Sequence, residues 1–366
     1  MALWLSEIGR DWMSALNLLR YVPVRGMASL VTSLFITWIL YPVLIARLRG
    51  ASVGEVVRND GPSAHQAKSG TPTMGGVLIL IAVLVSMLVW GDLTNVYVLI
   101  SMGIFVCYGA IGFLDDWTKL VRKKGLRGKT KLAMQFVVAL GFMGLFFYGF
   151  RPEDFLLHVY FPFLRIDKFY LVIPAWTYVL FAAVVVVAAS NAVNLTDGLD
   201  GLAIFPAITA AGVFLVYAYL SGAVLNRFSL AEYLLIPSLV GANELAVLAS
   251  ALIGAGIGFL WYNSYPASIF MGDVGALPIG GLLGAFAVFT KNEFLSVVIL
   301  GLFVVEAMSS IIQTVSYKTR RKRVFKMAPI HHHFELKGMP EPKIIIRFWI
   351  ISLLLGLIAL ASIKVR

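Results

Sequence analysis

Long apolar runs constrain the fold of this chain more than any other feature. Ten runs approach the roughly 20 apolar residues that a helix needs to cross a bilayer. They lie near 27–46, 74–90, 96–114, 132–150, 170–190, 201–221, 234–260, 274–290, 294–317 and 344–363. In lipid, only helices and closed barrels satisfy every backbone polar group. The runs therefore predict an all-α, polytopic integral membrane protein with about ten transmembrane helices, built as a single domain over residues 1–366.

The composition excludes a soluble globular protein. Sixty per cent of the residues are hydrophobic, 13% are charged and the mean hydropathy is +0.87, whereas soluble domains are about 45–50% apolar and about 25% charged. The net charge of +11 suits anionic lipid headgroups or phosphorylated substrates, although topology alone accounts for most of this surplus. The lone Cys107 excludes an intrachain disulfide.

Three stretches are less regular than the runs. Pro237, Gly241 and Glu244 interrupt the seventh run, so its helix is expected to begin near Leu245. Residues 1–25 mix Trp, Leu and Arg and predict an interfacial amphipathic segment. The first run is too long for a signal-peptide core, so no cleavable signal peptide is expected. Residues 151–169 read as an external loop with some β-like character.

The basic residues predict the orientation in the membrane. If all ten runs cross, the loops after runs one, three, five, seven and nine share a side. Three of these loops, 47–73, 115–131 and 318–343, carry four, seven and eight Lys or Arg residues. Because cytoplasmic loops are enriched in Lys and Arg, this side is predicted to be cytoplasmic and both termini periplasmic.

Five aspartates lie in three short motifs on the same predicted side. Only 19 of the 366 residues are acidic, so this concentration is hard to attribute to a solvated surface. Acidic residues at the ends of membrane helices are functional-site candidates by default. The five are Asp115, Asp116, Asp197, Asp200 and Asp273. The pattern predicts one assembled site at the cytoplasmic face.

Asp115 and Asp116 are adjacent at the end of the third run. Adjacent helical residues point about 100° apart, which favours two distinct roles. One carboxylate would act as a base or metal contact, and the other would orient a lysine or a helix end. The alternatives are a solvated helix end or a salt bridge to the basic stretch 119–131.

The segment 191–201 repeats polar residues at every third position, at Asn191, Asn194, Asp197 and Asp200. On a straight α-helix these side chains would spread around half the circumference, so a loop or 3₁₀ geometry is expected. Its glycines allow close approach of a ligand to the backbone. The alternative is an Asx-rich turn satisfied by its own backbone.

Asp273 stands between glycines in Phe270-Met-Gly-Asp-Val-Gly275, just before the eighth run. Mg²⁺ is usually held by one or two carboxylates together with substrate phosphates and water, and Asp273 could supply such a ligand. The alternative is an ordinary helix N-cap. Phe270 is either an aromatic residue at the lipid edge or a platform for a flat base.

Three of the five histidines are consecutive, at 331–333. Consecutive residues cannot easily surround one tetrahedral zinc ion. Because five Lys or Arg residues lie at 320–326, the segment 318–343 is predicted to be a cytoplasmic loop that binds phosphate or diphosphate. Lys68 adds a cation on the same side, with an ordinary topology-setting lysine as the alternative.

These motifs give the chain a family resemblance over nearly its whole length. The segments 68–76, 112–116, 191–201, 270–275 and 331–335 resemble the polyprenyl-phosphate N-acetylhexosamine-1-phosphate transferases, and the histidine segment resembles their muramoyl-pentapeptide branch. The resemblance implies ten transmembrane helices and a homodimer in the bacterial cytoplasmic (inner) membrane. It implies transfer of phospho-MurNAc-pentapeptide from UDP-MurNAc-pentapeptide to undecaprenyl phosphate, with Mg²⁺ as cofactor and no nucleic acid as partner.

The resemblance also implies residue roles. Asp273 would hold Mg²⁺, Asp115 and Asp116 would serve the lipid phosphate, and His332 and His333 would contact the pyrophosphate or sugar. The implied substrate-binding residues are Lys68, Thr73, Lys119, Lys131, Asn194, Asp197, Asp200, Asn263, Phe270 and His331.

Two other functions remain open at this point. One is the transfer of GlcNAc-1-phosphate to the same lipid, against which the histidine segment argues. The other is secondary transport, whose sites usually lie near the bilayer midplane on broken helices rather than at loop edges. Direct attack and a covalent Asp-phosphosugar intermediate are both compatible with the residues.

Overall fold

The computed structural model describes residues 1–9, 14–50, 70–225 and 228–364, and its regular structure is almost entirely helical. The helices are α1 Ala2–Gly9, α2 Val22–Gly50, α3 Gly76–Trp90, α4 Val96–Arg122, α5 Gly128–Leu145, α6 Ala175–Thr196, α7 Ile204–Gly222, α8 Leu230–Leu234, α9 Leu245–Asn263, α10 Asp273–Phe289, α11 Ser296–Ile299, α12 Gly301–Arg320, α13 Ile330–Glu335 and α14 Glu341–Ala361. Short 3₁₀ segments cover Ser14–Arg20 and Ala242–Glu244, and α5 ends in a π-helical turn, Phe146–Phe150.

The strands are short and form two antiparallel pairs. β1, His158–Tyr160, pairs with β2, Tyr170–Val172, in the register His158–Val172. β3, Val224–Leu225, pairs with β4, Phe228–Ser229. The β-like character predicted for 151–169 is therefore confirmed, although the second strand lies just beyond that range.

Within the described residues, seven helices are long and apolar enough to cross a membrane, which agrees with a polytopic membrane protein. They are Val22–Gly50, Val96–Arg122, Gly128–Phe150, Ala175–Thr196, Ile204–Gly222, Ala242–Asn263 and Glu341–Ala361. Two shorter apolar helices, α3 and α10, coincide with the second and eighth predicted runs, and α12 coincides with the ninth. The total of ten spans and the side on which the termini lie remain predictions.

Helix α10 forms the centre of the bundle. Every residue from Val274 to Phe289 is buried, as expected of a helix that is apolar on all faces. Glycines let its neighbours approach closely: a Cβ at Gly112 of α4 would overlap the carbonyl oxygen of Asp273, and one at Gly76 of α3 would overlap the backbone of Gly275. The first turn of α10 is thereby fixed against α3 and α4.

One predicted helix boundary is confirmed and another is wrong. Helix α9 begins at Leu245 after a 3₁₀ turn, as the interrupting residues indicated. The loop or 3₁₀ geometry expected for 191–201 is wrong for 191–196, since α6 continues through Asn191 and Asn194 to Thr196, whereas residues 197–201 do form turns. The Asn191 amide donates to Val187 O at 2.8 Å and to Gln135 Oε1 at 2.5 Å, so its polar group is satisfied without breaking the helix.

The segment 318–343 is more ordered than the predicted loop. Helix α12 continues to Arg320, the histidines form part of the short helix α13, and α14 begins at Glu341. Near the N-terminus, α1 and a 3₁₀ segment precede α2. The interfacial position of residues 1–25 stays a prediction, and residues 10–13 lie outside the described part.

Candidate active site

Three aspartates from two helices meet at one end of the bundle. Asp115 and Asp116 lie in the last turns of α4, and Asp273 is the first residue of α10. One oxygen atom of each lies within 4.8 Å of the others. The close crossing of α4 and α10 at Gly112 brings them together, because that glycine lies one turn before Asp115.

Two lysine ammonium groups lie among these carboxylates. Lys119 Nζ is 2.8 Å from Asp115 Oδ2, 3.1 Å from Asp116 Oδ1 and 3.0 Å from Asp273 Oδ2. Lys131, in the first turn of α5, contacts Asp273 Oδ2 and lies 3.6 Å from Asp115 Oδ2. The cluster therefore combines three potential negative charges with two positive ones.

Asp115 and Asp116 accept hydrogen bonds from different backbone groups, as their positions on the helix predict, and both pair with Lys119. Asp116 Oδ2 accepts a hydrogen bond from Val274 N at 3.0 Å, which fixes the start of α10. Asp115 Oδ1 accepts one from Leu126 N at 2.7 Å, which holds the loop after α4. Both side chains are buried and paired with Lys119, so the solvated helix end is excluded, whereas the salt bridge to the basic stretch is present.

Asp273 is not the N-cap of its helix. Gly272 occupies that position with φ +73°, a conformation that favours glycine. Asp273 is the next residue, and its carboxylate contacts the two lysines. The alternative of an ordinary capping aspartate therefore does not describe this residue.

Two segments joined by backbone hydrogen bonds lie beside the cluster. Thr73 is on the extended segment before α3, and Phe270 is on the segment before α10. Phe270 N donates to Pro72 O, and Gly75 N donates to Phe270 O, both at 2.8 Å. Thr73 Oγ1 lies 3.3 Å from the position that a Cβ at Gly272 would take. Lys68 precedes this segment and lies outside the described residues.

Asn263 and Asp200 connect the turn after α6 to the segment before α10. Asn263 Oδ1 accepts from Gly201 N at 3.0 Å, and its amide donates to Ile269 O at 2.9 Å. Asp200 Oδ2 accepts from Ala267 N at 3.0 Å. Both side chains are buried, which indicates that they position the backbone. Asn194, in the last turn of α6, and Asp197, in the turn that follows, are partly exposed.

The three histidines of α13 have three different environments. His331 is fully buried, and its Nδ1 lies 3.1 Å from Glu306 Oε2. His332 Nδ1 lies 2.6 Å from Glu335 Oε2. His333 Nδ1 accepts a hydrogen bond from Lys326 N at 3.0 Å.

His333 is a neutral imidazole at neutral pH. Desolvation lowers its pKa below the usual range, and the ammonium groups of Lys337 and Lys326 lower it further. The hydrogen bond from Lys326 N requires an unprotonated Nδ1, which agrees with this direction. His333 therefore orders the basic segment before α13 and does not add a positive charge to it.

Glu306 was missed by the sequence reasoning. It lies within α12 and is fully buried against His331. A signal was available, because Glu306 is the only charged residue in the run 294–317.

The carboxylate cluster suits a hard divalent cation. Mg²⁺ prefers carboxylate, phosphate and water oxygens, and Asp115, Asp116 and Asp273 each present one oxygen to the same space. With two lysines against three aspartates, the cluster retains net negative charge when all five groups are ionised. The residues present therefore fit the ion.

The comparisons with known proteins point to one family over nearly the whole chain. Residues 96–291, more than half of the chain, match the model of glycosyl transferase family 4, and residues 68–80 match signature 1 of the phospho-N-acetylmuramoyl-pentapeptide-transferases. The chain is 50% identical to the phospho-N-acetylmuramoyl-pentapeptide-transferase of Sorangium cellulosum (strain So ce56) over 362 residues, covering 97% of this chain and 96% of that relative.

Two further relatives carry the same name. The one from Geobacter sp. (strain M21) is 49% identical over 355 residues, 96% of both chains. The one from Desulfatibacillum aliphaticivorans is 50% identical over 359 residues, 97% of both chains. Identity at this level over nearly the full length shows the family. The chain belongs to glycosyl transferase family 4 and, within it, to the phospho-N-acetylmuramoyl-pentapeptide-transferases.

Proposed function

We propose that this protein transfers phospho-MurNAc-pentapeptide from UDP-MurNAc-pentapeptide to undecaprenyl phosphate, forming lipid I and UMP in the first membrane step of peptidoglycan synthesis. The observation that carries the proposal is the convergence of Asp115, Asp116 and Asp273 with two lysines at one end of an apolar bundle. Relatives that carry the name of this activity are about half identical over nearly the full chain.

The cluster suits a reaction between two anions. A phosphate oxygen of the lipid attacks the β-phosphorus of the nucleotide sugar, and the bond from that phosphorus to the UMP oxygen breaks. One carboxylate of the Asp115–Asp116 pair takes the proton of the lipid phosphate. Lys119 and Lys131 lower the repulsion between the two phosphates. Asp273 with its neighbours would hold Mg²⁺, which would supply Lewis-acid stabilisation of the developing charge on UMP.

Direct attack by the lipid is favoured over a covalent aspartyl intermediate. Asp116 accepts from Val274 N at one oxygen and from Lys119 at the other. Asp115 is held in the same way by Leu126 N and Lys119. Hydrogen bonds at both oxygens hold each carboxylate in place and weaken it as a nucleophile toward phosphorus, whereas a remaining lone pair can still take a proton. Inversion at a chiral β-phosphorus would agree with direct attack, and retention would contradict it.

The nucleotide sugar is proposed to bind beside this cluster. Phe270 provides a face for the uracil, and Thr73, Asn194 and Asp197 offer polar contacts from neighbouring segments. Lys68, outside the described residues, is proposed to add a cation. Asp200 and Asn263 hold the walls of the pocket through their backbone partners. His332 and His333 face the diphosphate or sugar.

The site is proposed to face the cytoplasm in the bacterial inner membrane. If all ten predicted runs cross the membrane, the basic ends of α4 and α12 would share one side with the aspartates, and both termini would lie in the periplasm. A cytoplasmic site is reached by a soluble nucleotide sugar and by a lipid that diffuses laterally in the bilayer. The protein is further proposed to act as a homodimer.

UMP release tests the proposal. Purified protein receives undecaprenyl phosphate and Mg²⁺ with either UDP-MurNAc-pentapeptide or UDP-GlcNAc. Release that requires the lipid, Mg²⁺ and the muramyl substrate is expected. Release from UDP-GlcNAc alone would assign the protein to the sister reaction. If a folded sample released no UMP from either substrate, the proposed transferase activity would be contradicted.

A further inference from the structure

Glu306 is a buried carboxylate that the proposed reaction does not yet use. It lies in the second turn of α12 with no exposed surface. A carboxylate in an apolar helix is costly unless it is paired, and such residues usually serve a function. Its partner is His331, whose Nδ1 lies 3.1 Å from Glu306 Oε2.

The contact fixes the orientation of the imidazole. An ionised carboxylate can accept hydrogen bonds but cannot donate one. His331 Nδ1 therefore donates to Glu306, and Nε2 lies at the opposite edge of the ring. Within the described residues, neither His331 Nε2 nor Glu306 Oε1 has another hydrogen-bond partner. The contact with Glu306 is therefore the one polar anchor of this ring in that part of the chain.

The opposite edge of His331 packs against the turn after α6. A Cβ at Gly198 would overlap His331 Nε2 and lie 3.0 Å from Cε1. Gly198 stands between Asp197 and Asp200 on this turn. The His331 ring also lies 4.1 Å from the ring of His332, centroid to centroid. The imidazole therefore contacts the 197–200 turn and adjoins His332, and both carry proposed substrate contacts.

We propose that Glu306 is a positioning residue that acts through His331. By holding Nδ1, it sets the distance between the 197–200 turn and the helix that carries His332 and His333. This role rests on the proposed function and concerns its nucleotide-sugar substrate. The lipid phosphate meets the Asp115–Asp116 pair on α4, with which neither Glu306 nor His331 forms a hydrogen bond or ion pair.

The test uses paired substitutions at both ends of the contact. Glu306→Gln keeps an oxygen that accepts from Nδ1, whereas Glu306→Ala removes it. His331→Asn places an amide nitrogen near the position of Nδ1, whereas His331→Gln places it near that of Nε2. Glu232→Gln, on the exposed helix α8, is the matched control. For each purified variant, kcat and the KM of each substrate are measured from UMP release, with the thermal unfolding midpoint alongside.

Glu306→Ala and His331→Gln are expected to raise the KM of the nucleotide sugar by about ten- to a hundredfold, with the lipid KM unchanged. Glu306→Gln should stay near the wild type, as should Glu232→Gln, and His331→Asn should raise the nucleotide-sugar KM less than His331→Gln does. If Glu306→Ala does not fold, the comparison of His331→Asn with His331→Gln carries the test.

Wild-type kinetics in Glu306→Ala, or in both His331 variants, would overturn the positioning role. The positioning role would also be overturned if kcat/KM fell for both substrates in proportion to the fall in the unfolding midpoint, because that result marks a purely structural contact. A wild-type enzyme that releases no UMP from any nucleotide sugar would instead reject the proposed function, and the positioning role with it.

Discussion

At the scale of single residues, the charge of the aspartate cluster sets what it can bind. Asp115, Asp116 and Asp273 share Lys119 as a partner within 3.1 Å, and Lys131 supplies the second positive charge. One negative charge remains when all five groups are ionised. In a buried setting such a charge interacts more strongly with a cation than it would in bulk water.

Asp273→Asn should remove most of the turnover, because it removes a carboxylate that faces the proposed cation and the leaving group. We expect UMP release to fall by at least about a hundredfold, and Mg²⁺ binding measured by calorimetry to weaken in parallel. Asp167→Asn, which changes an exposed residue paired with Arg165, is the control. Full activity in Asp273→Asn would rule out its role as a metal ligand.

Asn263→Ala should lower stability as well as substrate affinity. It leaves Gly201 N and Ile269 O without their partners, which typically costs about 1–3 kcal/mol for a buried group. Thermal unfolding in detergent measures the loss, with Asn17→Ala, on an exposed side chain, as the control. An unchanged unfolding midpoint in Asn263→Ala would show that these two bonds do not stabilise the turn.

At the scale of elements, the crossing of α4 and α10 places Asp273 in the site. Gly112→Ala would push the first turn of α10 away, because the new Cβ overlaps Asp273 O. A shift of about 1 Å at a reacting group can cost about a hundredfold in rate, so UMP release should fall by that order. Gly141→Ala, on α5, meets nothing within 4 Å and should remain active. Equal activity in the two variants would contradict the close crossing.

The basic segment before α13 should loosen as the pH falls. The pKa of His333 is lower in the folded protein than its ordinary value of about 6.5. The bond from Lys326 N is therefore fully present above that value and is lost as the pH falls through the folded pKa.

Hydrogen exchange over residues 322–328, corrected for the intrinsic rate, should be faster at pH 5.5 than at pH 7.5. His333→Asn keeps an acceptor that does not titrate, so its exchange should not change between these values. Exchange in the wild type that is independent of pH would contradict the neutral His333.

The elements show which features the sequence could predict. Hydropathy is local, so all ten predicted runs contain helical structure and the start of α9 is correct to the residue. The loop expected for 191–201 begins only after Thr196, because the polar side chain of Asn191 finds a partner in Gln135 on α5 while it remains in the helix. Of the five aspartates that the motifs predicted in one site, Asp115, Asp116 and Asp273 meet in the cluster. The contact of Glu306 with His331 joins residues 25 positions apart and follows from tertiary packing.

At the scale of the whole molecule, two residues of the predicted basic side reach the proposed site. Lys119 lies near the end of α4 and Lys131 in the first turn of α5. These two cations, which count toward the predicted orientation of the chain, also contact the aspartates. This arrangement suits a reaction in which a soluble anionic donor meets a lipid anion at the membrane surface.

The transfer of a sugar together with its phosphate is the central claim, and the fate of the two donor phosphates tests it most directly. UDP-MurNAc-pentapeptide labelled with ³²P at either the α- or the β-phosphate is incubated with the protein, undecaprenyl phosphate and Mg²⁺, and the lipid is extracted. The β-label should appear in the lipid and the α-label in UMP. An unlabelled lipid product that carries the sugar, or both labels together in UDP, would contradict the account.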